Sequence, residues 1–201
     1  MQGSDATENG GAFMRERRAR HPGLRGALIA DARVTAAHRG ERSEFRPGID
    51  TLLQIARLMW VCDAFLAQAL YRLKARLQGL GVPLLPRIVH RLAMSTGQVS
   101  IGDPVLVHPG VYIVHGQLVI DGITEIHSGA VIAPFVTIGL RAGNYSGPTI
   151  GPDVSIGTGA KVIGPVTIGA RARIGANAVV VDDVPEGATV VGAPARPLDA
   201  G

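Results

Sequence analysis

Ile150-Gly-Pro-Asp-Val-Ser-Ile156-Gly-Thr-Gly-Ala-Lys-Val162-Ile-Gly-Pro-Val-Thr-Ile168-Gly-Ala-Arg-Ala-Arg-Ile174-Gly-Ala-Asn-Ala-Val-Val180 is the stretch that decides the fold. Its leading aliphatic residues stand six apart, and glycine follows them at Gly151, Gly157, Gly169 and Gly175. Four residues after each leader comes a smaller apolar residue: Val154, Ala160, Val166, Ala172 and Ala178. A period of six matches neither the 3.6 of a helix nor the 2 of a strand. It suits a solenoid in which each hexad is a short strand plus a corner, and three hexads close one triangular coil. Upstream the same frame runs through Ile101, Val107, Ile113 and Val119. After one extra residue, placed at Asp121–Gly122, it resumes at Ile126, Ile132 and Ile138. The turn-rich segment Leu140–Thr149 interrupts it again and is predicted to leave the coil as a loop. A parallel β-helix is therefore predicted from about Val99 to Val184, inside a coil domain spanning 98–201.

Before Val99 the texture is different. Residues 1–20 are small, polar and charged and read as a flexible leader. Residues 21–97 read as an α-helical cap. It comprises a short helix over Leu24–Ala37, then a long amphipathic helix whose stripe is Leu52, Ile55, Met59, Cys62, Leu66, Ala69 and Leu73. A further short helix runs from Pro86 to about Met94. Only 4% of the chain is aromatic against 46% hydrophobic, so the core must be filled by small aliphatics. Charge is uneven, with residues 1–96 at +7 and the remainder at −3. The arginines are spread along helices rather than clustered with aromatics, so no nucleic-acid partner is expected. The single cysteine, Cys62, excludes an internal disulfide and falls on the apolar stripe as a packed thiol. Leu52–Leu73 carries too many polar residues for a membrane span, and no apolar signal segment is evident. A cytoplasmic location is the expectation.

The hexads, together with Tyr112-Ile-Val-His-Gly116, Val136-Thr-Ile-Gly139, Ile156-Gly-Thr-Gly-Ala-Lys-Val-Ile-Gly164, Ile174–Val180 and the closing Val191-Gly-Ala-Pro-Ala-Arg196, resemble the serine acetyltransferase family of the hexapeptide-repeat acyltransferases. The resemblance implies a left-handed parallel β-helix and direct acetyl transfer from acetyl-CoA to a hydroxyl, with no metal. It implies that His115 is the general base, since that reaction needs a proton acceptor working near neutral pH. It implies that Gly157, Thr158, Gly159, Ala160 and Ala176 line the groove for the pantetheine arm, where a bulkier side chain would close the passage. Lys161 is assigned to the cofactor, with Arg171 and Arg173 as weaker candidates for its phosphates. The aspartate that orients the base in the family aligns near Ser100, and Asp103 is taken as its substitute.

The chain departs from the family at the acceptor site. Val114 stands where the family has an aspartate before the catalytic histidine, and Ser146 and Gly147 stand where it has an arginine and a second histidine. A sugar, antibiotic or natural-product acceptor is therefore the alternative to serine. A non-catalytic scaffold, and a zinc-dependent carbonic anhydrase-like coil using His108, His115 and His127, are readings from other classes. The resemblance further implies a homotrimer or a dimer of trimers. The ending Pro197–Gly201 lacks the isoleucine-ended tail, so docking on cysteine synthase is not expected.

Overall fold

The computed structural model describes residues 2–197. Five helices precede the coil: α1 (Gln2–Ala19), α2 (Leu24–His38), α3 (Ile49–Val61), α4 (Asp63–Gly79) and α5 (Leu85–Gly97). No helix among the described residues is long and apolar enough to cross a membrane.

The core is the parallel β-helix expected from the hexads, with three faces, consistent with the left-handed coil that the resemblance implies. The first face stacks Val99–Ile101, Leu118–Ile120, Thr137–Gly139, Lys161–Ile163 and Val179–Val180. The second stacks Leu106–Val107, Ile123–Ile126, Ser146–Ile150 and Thr167–Ile168. The third stacks Tyr112–Ile113, Val131–Ile132, Ser155–Ile156, Arg173–Ile174 and Thr189–Val191, and Arg196–Pro197 closes it antiparallel. Aliphatic side chains form the interior columns, Ile120, Ile138 and Val162 on the first face and Ile132, Ile156 and Ile174 on the third, each at most 3% exposed. Each such side chain contributes about 1.5–3 kcal/mol by leaving water, and every coil repeats the gain.

Three expectations about the coil need correction. Val119 does not lead its hexad: it is 46% exposed, while Leu118 and Ile120 are buried. Interior spacing is seven from Ile113 to Ile120 and six from Ile120 to Ile126, so the extra residue lies in the corner Val114–Gln117 and not at Asp121–Gly122. The excursion after Ile138 is shorter than expected, because Ser146–Ile150 rejoins the second face and only 140–145 leave the coil. Residues 2–19, within the segment read as a leader, form a helix. Its end is clamped to the coil: Arg17 donates from Nε to Pro104 O (2.8 Å) and from Nη2 to Thr124 O (2.7 Å), and Arg20 reaches both Glu125 carboxylate oxygens at 2.8 Å.

The long amphipathic helix is in fact two. The chain breaks at Cys62 (φ −138°, ψ 100°), and Leu52, on the expected stripe, is exposed. Helix α4 instead buries Gln68, Tyr71, Arg72 and Lys74. The first coil has no coil before it, so its strands carry backbone groups without a ladder partner. Gln68 Nε2 donates to Val111 O (3.0 Å), Tyr71 Oη to Val105 O (2.9 Å), Arg72 Nη2 to His108 O (2.8 Å) and Lys74 Nζ to Ile101 O (2.7 Å). Helix α4 thus caps the solenoid with polar side chains. Arg72 is held in turn by Asp31 of α2 (Nε to Oδ2, 2.9 Å), whose Oδ1 accepts the Gly110 N–H.

Candidate active site

His115 sits on the edge where the third face turns into the first, in the corner that carries the extra residue. The longer corner pushes the imidazole into solvent, while the backbone beneath it stays tight. A Cβ on Gly116 would stand 1.8 Å from Gly97 O, so glycine alone lets the corner pass the end of α5. Gln117 completes the turn in the left-handed region, at φ 63°.

The helical cap roofs this corner and leaves a cleft of about 450 Å³. Val114, His115 and Gln117 form its floor, and Arg39, Asp63 and Gln98 come from the cap side. Tyr112, also in the lining, is fixed by stacking on His38 with ring centroids 4.3 Å apart. Cys62, buried as expected, lines the same cleft. Asp63 opens α4 directly after the break at Cys62, and Arg39 closes α2, where its Nε donates to Glu41 Oε1 (2.9 Å). Neither Asp63 nor Arg39 is foreseen by the sequence reading, because each looks like one more charge on a helix. Only the packing of α2 and α4 over the corner brings them to His115.

The residues assigned to the acyl donor lie on this same edge. Gly157–Ala160 form the corner after Ser155–Ile156, and Ala176 lies in the corner of the next coil. Two strand-to-strand steps separate the His115 corner from that of Thr158, about 10 Å along the axis. Thr158 and Ala176 are exposed. Their backbone N–H groups have no partner among the described residues, whereas those of Gly157, Gly159 and Asn177 bond across coils. Gly157 is required by the stacking itself, since a Cβ there would meet Ala176 N at 2.7 Å. Ala160 is wholly buried, its N–H bonded to Gly157 O and its carbonyl to Thr137 N–H, so it shapes the corner from inside. Lys161 Nζ donates to Phe135 O (2.8 Å) and Gly159 O (2.9 Å), bracing the edge across two coils.

Asp103 is not brought to His115. It stands on the first-to-second edge, and its carboxylate accepts Lys74 Nζ at 3.0 Å. Burial pushes this carboxyl up, but the Lys74 ammonium, with Gln78 and His90, together outweighs it and holds the carboxyl below the ordinary range.

A second cluster lies on the second face. His108 Nε2 is 2.9 Å from Glu125 Oε1, His108 stacks on His127 at 4.6 Å, and the three offer ligand atoms within 4.8 Å of one another. Two imidazoles and a carboxylate are a possible donor set for a borderline cation, but Arg17 and Arg20 engage the same carboxylate. Of the three histidines of the carbonic anhydrase-like reading, the fold joins His108 and His127 and puts His115 on another edge.

The bacterial transferase hexapeptide (six repeats) family matches residues 147–182. No curated protein sequence matches the chain significantly. Solved structures do. A serine acetyltransferase from Neisseria gonorrhoeae in complex with serine is 27% identical with a TM-score of 0.72, and the match covers 87% of this chain and 68% of that one. Soybean serine acetyltransferase complexed with serine is 28% identical at TM-score 0.72, over 90% and 71% of the two chains. A serine acetyltransferase in complex with CoA is 25% identical at TM-score 0.72, over 93% and 74%. These matches extend across the helical cap as well as the coil. The chain thus carries bacterial transferase hexapeptide repeats and is similar, through both cap and coil, to solved serine acetyltransferases.

Proposed function

We propose that this protein transfers an acetyl group from acetyl-CoA to an acceptor hydroxyl, with His115 as general base. The observation that carries the reading is the shared edge: His115 opens into a cleft on the same edge where Thr158 and Ala176 leave exposed N–H groups unpaired. Those N–H groups suit the amide carbonyls of a pantetheine arm, and Gly157 and Gly159 keep its path clear of side chains. His115 takes the hydroxyl proton as the oxygen attacks the thioester carbonyl. The tetrahedral intermediate then collapses, and the proton passes from His115 to the departing thiolate. The products are an acetyl ester and free CoA.

Val114 gives the acceptor side an apolar wall next to the base. Asp63 and Arg39 offer opposite charges from the cap, so a zwitterionic acceptor such as serine belongs in the test beside sugars and natural-product alcohols. The test is release of CoA thiol from acetyl-CoA across such a panel. Acceptor-dependent release that is lost in His115→Ala, with CoA binding retained, is the expected result. Unchanged release in His115→Ala overturns the assignment of the base.

A further inference from the structure

A larger cleft, of about 590 Å³, opens elsewhere in the cap between the second half of α1, the start of α2 and the end of α4. Arg15 and Arg18 reach it from one helix and Arg76 from another, with His21 and Gln78 beside them, and no Asp or Glu among the described residues lines it. Neighbouring cations of the cap have carboxylate partners: Arg20 has Glu125, Arg72 has Asp31 and Lys74 has Asp103. Among the described residues Arg15, Arg18 and Arg76 have none. The Nε of Arg18 and both ring nitrogens of His21 are buried without a hydrogen-bond partner. Helix α2 begins at the rim, after Gly23, with no side chain capping its first N–H groups and no acid in its first turn.

We propose that this cleft binds a small phosphate-bearing anion, clamped between Arg15 and Arg18 of α1 and Arg76 of α4. Guanidinium groups converging from two helices match the paired acceptors of a phosphate, and the uncapped start of α2 adds donors of the same sign. The site is separate from the acetyl-transfer cleft. Asp63 and Ala64 at the start of α4 line that one, Ala75 and Arg76 near its end line this one, and about 16 Å of helix lies between Ala64 and Ala75. His21 reports on occupancy. Burial, Arg72, Arg17, Lys74 and Arg18 push its imidazole down to about 4, and an anion in the cleft offsets those cations and lets it rise.

The test is calorimetric titration of the full chain with inorganic pyrophosphate at about 0.15 M salt, with His21 followed by NMR across pH. Expected are one saturable site per chain and an upward move of the His21 titration on binding. Arg15→Gln and Arg76→Gln, both exposed positions that leave the fold intact, each weaken binding about tenfold or more. His115→Ala leaves it unchanged. Absence of saturable binding, a His21 titration that ignores pyrophosphate, or equal binding by the arginine variants overturns the proposal. Phosphate chemistry is shared with CoA, so the titration is repeated with CoA saturating. Survival of the pyrophosphate site assigns it to a free phosphorylated molecule, and its displacement assigns it to the cofactor's own phosphates.

Discussion

His115 is exposed between Val114 and Gly116, so truncating it removes a proton acceptor without opening a hole. His115→Ala is expected to lower acetyl transfer about 10²-fold or more while stability stays within about 0.5 kcal/mol of wild type, as thiol release and a urea melt will show. Gly116→Ala tests the opposite case. Its Cβ falls on Gly97 O, so either the corner or the end of α5 must move, at about 1–3 kcal/mol. Activity falls as well, because the neighbour that shifts is His115. Gly139→Ala is the control, for a Cβ there meets nothing within 4 Å. The place of His115 in a coil corner was legible in the sequence because it sits inside a contiguous run, Tyr112–Gly116, anchored at one end by the hexad frame. Asp63 and Arg39 were not, since a charge at the start or end of a helix carries no mark of what will pack over it. Asp103 was misplaced for a related reason. Twelve residues upstream is two hexads along the chain and so a different edge of the coil, and nearness in sequence gives no guide to which edge a side chain shares.

Among the elements, α4 takes the place a preceding coil would fill. Arg72→Met removes the donor to His108 O and leaves Asp31, wholly buried, without its cation, which is expected to cost about 3–5 kcal/mol. Adding Asp31→Leu recovers part of that loss in the double variant, a coupling that urea unfolding of all four species measures. The clamp on α1 carries a pH signature. Burial pushes Glu125 up, but the His108 hydrogen bond and the charges of Arg20 and Arg17 outweigh it and hold the carboxyl below its ordinary value. A carboxylate depressed in the folded state stabilises it fully above the unfolded value of about 4.3. That contribution is lost as pH falls through the lower folded value. The melting temperature of the wild type should therefore drop more steeply than that of Glu125→Gln below about pH 4.3, and the two should run parallel above pH 6. The hexad frame was legible because burial in a solenoid repeats with the chain itself. Helix α4 was not, because its inward face is chosen by the carbonyls it must meet, and a stripe of Leu52, Ile55 and Met59 says nothing about Gln68 and Arg72.

For the molecule as a whole, the family resemblance implies trimers with active sites at subunit boundaries, and the edge that bears His115 has a feature suited to that. Phe135 lies in the corner between those of His115 and Thr158, 53% exposed and at φ 62°. A bulky residue in the left-handed region is uncommon, and here the backbone is held by Phe135 N–H to Gln117 O (2.9 Å) and Lys161 Nζ to Phe135 O (2.8 Å). The corner thus fixes an aromatic outward between the proposed base and the proposed donor groove, where a neighbouring subunit would bury it. Val119, also turned outward, lies on the adjoining first face. Light scattering is expected to return three times the 20.9 kDa chain mass. Phe135→Glu puts a charge where the expected trimer would make apolar contact, so assembly and acetyl transfer should fall together, with circular dichroism of the β-helix unchanged. A wild-type monomer, or a Phe135→Glu monomer with full activity, removes the subunit boundary from the catalytic site and leaves the cleft of a single chain to do the chemistry alone.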